Sequence, residues 1–145
     1  MLKTSGKVHW ITIGAALGLV LLLVVLFVRG DDPQSRAMTF MSALSQGDYK
    51  ELANSTYVEG KSKEELEAAW KKSVEDAKHY RFMYKIKGVQ PTGDTAQIRM
   101  GVWRNYQPGG YDENFGLDVI KKGDRWYVRG NGISREMYPF LPRFE

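Results

Sequence analysis

The chain has no cysteine and only two histidines. The first absence excludes a disulfide framework and a thiolate metal site. The second excludes a histidine-based metal cluster, because His9 and His79 lie on either side of a long apolar stretch. No Gly-x-Ser-x-Gly elbow, phosphate loop or Gly-x-Gly-x-x-Gly turn occurs, so three common routes to nucleophilic and nucleotide chemistry have no sequence support. There is no internal repeat and no low-complexity segment. No run of lysine and arginine exceeds the pairs Lys71-Lys72 and Lys121-Lys122. Nucleic-acid binding needs clustered cations that release phosphate counterions. The formal charge of +4 is therefore no sign of a nucleic-acid partner, and no cofactor is implied.

Where charge is missing altogether, the sequence says most. Residues 10–28 read WITIGAALGLVLLLVVLFV, 19 positions without a charged side chain. As a helix they extend roughly 28 Å, against a hydrocarbon core of about 30 Å. A buried soluble helix rarely keeps such a run without one polar face. The competing reading is a secretory signal peptide, whose apolar region is about 7–15 residues and ends in small residues at a cleavage site. Here Leu26, Phe27, Val28 and Arg29 stand in that place, and no cysteine follows for lipid attachment. The stretch is expected to be an uncleaved, single-pass transmembrane helix.

Lys3 and Lys7 precede the stretch, whereas only Arg29 follows, trailed by Asp31 and Asp32. By the positive-inside rule, residues 1–9 are cytoplasmic and the domain lies outside the inner (cytoplasmic) membrane, periplasmic or extracellular. Setting Lys3, Lys7 and Arg29 aside leaves 18 basic against 17 acidic side chains, so the domain is close to neutral. Trp10 suits the interface. Gly14 and Gly18 form a small-xxx-small pair that lets two helices approach closely. The expected partner is thus the lipid bilayer; the glycine face would allow a homodimer, the alternative being a pattern that arises by chance in alanine- and glycine-rich spans.

Residues 29–32 read as a linker and residues 33–145 as one extracytoplasmic domain, a common single-domain size. Asp32 is a plausible N-cap with Pro33 at the first helical position. Ala37, Phe40, Met41 and Leu44 recur at helical spacing up to Gly47, a stop. Asp48 caps a shorter helix with Tyr49, Leu52 and Ala53 inward, and residues 57–60 are a connector. Ser62 and Glu65 make a capping box before a third helix with Leu66, Ala69, Trp70 and Val74 on one face, fading near Ala77. From His79 the period becomes 2. Tyr80, Phe82, Tyr84 and Ile86 alternate with Arg81, Met83, Lys85 and Lys87, and a turn is expected at residues 91–94. Ala96, Ile98, Met100 and Val102 mark a second strand, and Phe115, Leu117 and Val119 a third. A turn at residues 122–124 leads to the fourth at residues 125–128. The proline-broken tail from Met137 is expected to pack as an irregular strap. The order predicts an α+β domain, helices packed on an antiparallel four-stranded sheet.

Two segments carry a resemblance. One is AMTFMSALSQGDY at residues 37–49; the other is LDVIKKGDRWYV at residues 117–128. The first resembles the opening helix and Gly-Asp-Tyr exit, and the second the closing hairpin, of the nuclear transport factor 2-like (cystatin-like) superfamily. Its small membrane-tethered bacterial members are the most similar in layout, and the resemblance covers roughly residues 33–130. It implies a curved sheet wrapped around a helix, often enclosing a cone-shaped pocket. It also implies divided roles: some members are isomerase-like or dehydratase-like enzymes, others are binding or assembly domains, including single-anchor periplasmic subunits of secretion machines. Fold alone leaves function open.

The enzymes of that kind need an ionisable group at an inward strand position. None of the inward positions identified carries a carboxylate or histidine. Asp118 and Arg99 fall on the other face by alternation, although a one-residue slip would bring Asp118 inward. His79, at a helix-to-strand junction, reads as a surface residue. Tyr80 and Tyr84 read as core residues with solvent-reaching hydroxyls, the alternative being pocket ligands. Trp103, Tyr106 and Tyr111 border the loop at residues 107–114. Trp103 is expected to be covered by the tail at residues 138–144, the alternative being a contact surface. The reading is a non-catalytic, membrane-anchored interaction domain, self-associating or serving an envelope protein complex. Alternatives are a binder of a small apolar ligand in the sheet cone and an isomerase- or dehydratase-type enzyme.

Overall fold

The computed structural model describes residues 5–28, 31–104 and 113–144, with side chains described at 10–22, 31–104 and 113–144. The chain divides into two compact units, Met1–Asp31 and Asp32–Glu145. The first holds helix α1, Ser5–Val28, which covers the whole expected apolar stretch. Its described side chains, residues 10–22, are all exposed. Among the described residues no helix is long and apolar enough to cross a membrane, because those 13 side chains span only about 20 Å at helical rise. The stretch is helical as expected; a place in a bilayer is a proposal.

The second unit starts where the caps direct it. The Asp32 carboxylate accepts from the Ser35 amide at 2.7 Å, and helix α2, Pro33–Gln46, follows with proline in its first turn. Gly47 ends it with φ +73°, a left-handed conformation that glycine adopts without a Cβ clash. Asp48 caps α3, Tyr49–Ser55. The reciprocal capping box of Ser62 and Glu65 opens α4, Lys63–Asp76. Those hydrogen bonds to Ser62, from its backbone first and its hydroxyl second, hold the Glu65 carboxyl below its usual value.

The sheet has five strands rather than the expected four: β1, Thr56–Tyr57; β2, Met83–Thr92; β3, Thr95–Trp103; β4, Glu113–Lys122; and β5, Arg125–Arg129. Their order is β1-β5-β4-β3-β2. The four-strand antiparallel meander is as expected, except that its first strand begins at Met83, so Tyr80 and Phe82 lie before the strand rather than in it. The added strand lies in the segment that reads as a connector, where two residues pair parallel with Val128 and Arg129. Two residues are too short to show a period, so only the neighbouring strand reveals them.

Register places the core residues as alternation predicts. Ala96 opposes Val119, Ile98 opposes Leu117 and Met100 opposes Phe115. Ile98, Met100, Leu117 and Val119 are fully buried, under α2. Strand β2 departs from strict alternation through a bulge between Ile86 and Gly88, with Lys87 the extra residue. Inward positions pass from Tyr84 and Ile86 to Val89, which opposes Ile98; a bulge shifts the period by one residue. The turn is also tighter than expected. Pro91 and Thr92 remain in the strand, and Gly93-Asp94 alone make the reversal, with Gly93 at φ +61°. Proline is tolerated there because β2 is an edge strand.

Candidate functional site

Beyond Val102, the inner face of the sheet continues to Arg104, and its far rim starts at Glu113, the partner of Val102. Helix α4 ends opposite, and the segment behind it brings in Tyr80 and Phe82. At this mouth of the cone the tail returns. Tyr138 packs edge-on to Tyr80 at a centroid distance of 5.6 Å and to Phe82 at 6.1 Å, and Phe140 meets Tyr80 at 5.6 Å. Tyr84 extends the row through Phe82 at 6.4 Å. Such offset and perpendicular ring pairs add about 0.5–1.5 kcal/mol each beyond their buried area.

Polar contacts pin the tail in place. The Tyr80 hydroxyl donates to the Met137 carbonyl at 3.3 Å, the Ser73 hydroxyl donates to the Phe140 carbonyl, and Arg135 donates to the Leu141 and Pro142 carbonyls at 3.0 and 3.1 Å. The tail is the irregular strap that its prolines predict, and it seats three buried side chains, Met137, Tyr138 and Leu141. Its path runs to Trp70, Ser73, Tyr80 and Phe82. Trp103 instead sits on the outer face, opposite Met83, so the expected cover does not lie where the tail's ring contacts and hydrogen bonds are. Tyr106 and Tyr111 lie outside the described residues.

Burial governs the electrostatics of the mouth. It pushes the Tyr138 phenol up to about 12, with the Ser73 hydroxyl opposing and Tyr80 adding to the rise. Burial also raises Tyr80, with the Arg104 charge opposing and the Glu113 charge adding. Both phenols stay protonated at neutral pH, and Tyr80 donates to the Met137 carbonyl. Arg104 Nη2 lies 3.5 Å from the Glu113 carboxylate, yet Nε and Nη2 are buried without a hydrogen bond among the described residues.

Tyr80 and Tyr84 are therefore brought together at the mouth, and Arg104, Glu113 and Tyr138 join them. Sequence reasoning stopped the inward sets at Val102 and Phe115; extending each alternation by one step finds Arg104 and Glu113. One correction follows: a carboxylate does stand on an inward register position, though Glu113 sits at the rim with its side chain half exposed and paired to Arg104. Asp118 is not part of this site. It opposes Gln97 on the outer face, as alternation predicts. His79 is exposed. Among the described residues no group of three or more acidic or histidine side chains could hold a metal. Gly14 and Gly18 lie on α1 with open space where a Cβ would stand.

The cone itself is occupied by its own side chains. Trp70, Phe40, Met41, Leu52 and Met137 fill the space between α2–α4 and the sheet, and among the described residues the buried polar ones are Ser55, Thr56 and Ser73. Thr56 and Ser73 donate to the Leu52 and Phe140 carbonyls, and Ser55 to the Glu51 carboxylate.

No sequence-family profile and no curated protein matches the chain. Solved structures do. A Campylobacter jejuni protein provisionally assigned as an NTF2-like transpeptidase superposes with a TM-score of 0.53 at 24% identity, covering 68% of this chain and 98% of its own. A cystatin-fold protein from Novosphingobium aromaticivorans gives 0.44 at 15% identity, covering 65% and 92%. An NTF2-like protein of unknown function from Silicibacter pomeroyi gives 0.41 at 18%, covering 66% and 85%. At these identities the likeness concerns fold alone, and the argument rests on the first. The domain has the NTF2-like, cystatin-like fold.

Proposed function

Starting from an NTF2-like fold whose cone is full, we propose that the chain is a non-catalytic interaction domain held at a bilayer by residues 10–28. The observation that carries this reading is the packed interior. Ligand-binding and catalytic versions of such a cone need an open, partly polar cavity. Here the strap residues Met137 and Tyr138 close the mouth against Tyr80 and Phe82. Surface is then what the domain has to offer a partner.

The anchoring half rests on α1. Trp10, Ile11, Ile13, Leu17, Leu19, Val20, Leu21 and Leu22 are 51–77% exposed. A row of that size is unfavourable in water, at about 25 cal/mol for each Å² of apolar surface. In hydrocarbon the same row is solvated, and the uncharged sequence continues to Val28. The flanking Lys3 and Lys7 support an orientation with the domain outside the cytoplasm.

A second reading has one observation behind it. The buried Nε of Arg104 at the mouth lacks a hydrogen-bond partner among the described residues, and Nη2 meets only the Glu113 carboxylate at an ion-pair distance of 3.5 Å, which favours a small ligand bearing a carbonyl or carboxylate at that rim.

Reporter fusions at the C-terminus test the anchor: a reporter active only outside the cytoplasm is expected, and an active cytoplasmic reporter overturns the topology. Crosslinking in native membranes tests the interaction role; a chain that remains monomeric and uncrosslinked overturns it.

A further inference from the structure

The outer face of the sheet carries a feature that the linear sequence hides. Register places Lys85, Arg99, Lys122, Arg125 and Arg129 on this face, and all five are exposed. Among the described residues the one carboxylate at a paired strand position there is Asp118. A domain that is neutral by composition thus has one cationic side.

Within that side one row is unusual. Arg99, on β3 between β2 and β4, has Gly88 as its neighbour on β2 and Gly116 as its neighbour on β4. Neither glycine needs its conformational freedom here, since both have φ outside the left-handed region. What they supply is space. A Cβ on Gly88 would lie 3.0 Å from Arg99 Nη2 and 3.4 Å from Nε, and a Cβ on Gly116 would lie 3.4 Å from Gln97 Nε2. The guanidinium lies across one bare strand and the Gln97 amide across the other. Lys87, the bulge residue, stands at the edge with its ammonium donating to Asn114 Oδ1 at 2.7 Å. Together they border an open depression of about 510 Å³ with Phe115 and Gly116. Among the described residues Arg99 has no carboxylate and no other polar partner.

We propose that the Gly88–Arg99–Gly116 row is a binding site for a phosphate-type oxyanion. The side chains at hand are all suited to the task. A guanidinium offers a planar fork of donors that matches oxyanion geometry, the Gln97 and Asn114 amides add neutral donors, and Lys87 adds a second positive charge. The surrounding cations raise the local concentration of anions. The ligand is either a free phosphate group or a phospholipid headgroup, whose chemistry at Arg99 is the same.

The test uses the full chain in nanodiscs, followed by amide NMR. In phosphatidylcholine discs, inorganic phosphate is titrated at constant ionic strength against chloride. Saturable shifts at Gly88, Arg99 and Gly116 are expected if free phosphate is the ligand. In discs containing phosphatidylglycerol, shifts at the same amides without added phosphate identify the headgroup as the source. In either arm Arg99→Gln weakens binding roughly tenfold, the loss of one charge-assisted contact. Gly88→Ala tests geometry separately: it keeps every charge but displaces the guanidinium, and it too weakens binding. Unchanged dispersion of the remaining amides shows that each variant is folded. Shifts in neither arm, or shifts undiminished in Arg99→Gln, overturn the site; loss of anchoring leaves the phosphate arm readable in detergent.

Discussion

The two faces of the β2–β5 meander are built from the same strands and answer to different physics. On the inner face Ala96, Ile98, Met100, Leu117, Val119 and Val128 are nearly or fully buried. Their neighbours one residue away, Thr95, Gln97 and Arg99, are exposed. Inner positions are fixed by volume, because interiors are packed to crystal density and tolerate neither voids nor surplus atoms. Outer positions are fixed by little except charge and reach. A substitution therefore has opposite diagnostic value on the two faces: inside it reports stability, outside it reports binding.

The largest expected effect is on the inner side, at Trp70. Its ring is fully buried, edge-on to Phe40 at 5.8 Å and beside Phe144 at 6.3 Å, and its indole nitrogen has no hydrogen-bond partner among the described residues. Truncating it leaves a large cavity and removes a desolvated polar atom, two opposed changes. The cavity dominates at this size, so Trp70→Ala should cost about 3–5 kcal/mol. Chemical denaturation followed by circular dichroism measures it. A loss below about 1 kcal/mol would mean the cone is not filled as described, and the case against an internal ligand would weaken with it.

A matched pair sharpens the contrast. Ile98 and Gln97 are adjacent in β3 and face opposite ways. Ile98→Ala should cost about 2–5 kcal/mol, whereas Gln97→Ala should stay within about 0.5 kcal/mol. Equal losses from the two substitutions would break the comparison outright, since they would require a different register.

The inner face was the legible one. Period-2 alternation named Ile98, Met100 and Leu117 because burial on one side imposes that period on the chain. Caps were equally readable at Asp32, Gly47 and Ser62, where the signal and the structure are local. Three things were not readable. Strand β1 is two residues long and exists only because β5 lies beside it. The bulge at Lys87 changes phase with no residue that announces it. The row Gly88–Arg99–Gly116 joins positions from three strands, and nothing in sequence spacing brings them to one line. The candidate residues divide the same way: Tyr80 and Tyr84 were found by alternation, while Tyr138 reached the mouth only through the fold of the strap.

At the rim between the faces, pH should separate the two regimes. Burial raises the Tyr138 phenol in the folded chain to about 12, against about 10 when unfolded. The unfolded chain then loses its proton first as pH rises. Stability contributed by the neutral phenol is fully present below about pH 10 and is lost as pH climbs towards 12. Alkaline denaturation of the wild-type chain should steepen in that window, and Tyr138→Phe should flatten it while keeping the ring packed on Tyr80 and Phe82. An unchanged profile in the variant would show that the phenol is solvated and the strap loosely seated.

The smallest expected effect on stability belongs to Arg99, and its smallness is the informative part. The side chain is exposed, has no ion-pair partner among the described residues and lies over a glycine. Removing its charge deletes no salt bridge among the described residues and relieves whatever repulsion the other cations of that face exert, an effect that salt screens. Arg99→Gln should therefore leave the unfolding free energy within about 0.5 kcal/mol, or raise it slightly. The measurement is the midpoint shift at low and at high salt. A gain at low salt that fades at high salt shows a residue kept despite repulsion, as expected for one serving a ligand. A clear loss at both would assign Arg99 to the structure, and the distinction between a face that folds the domain and a face that binds would then fail at β3.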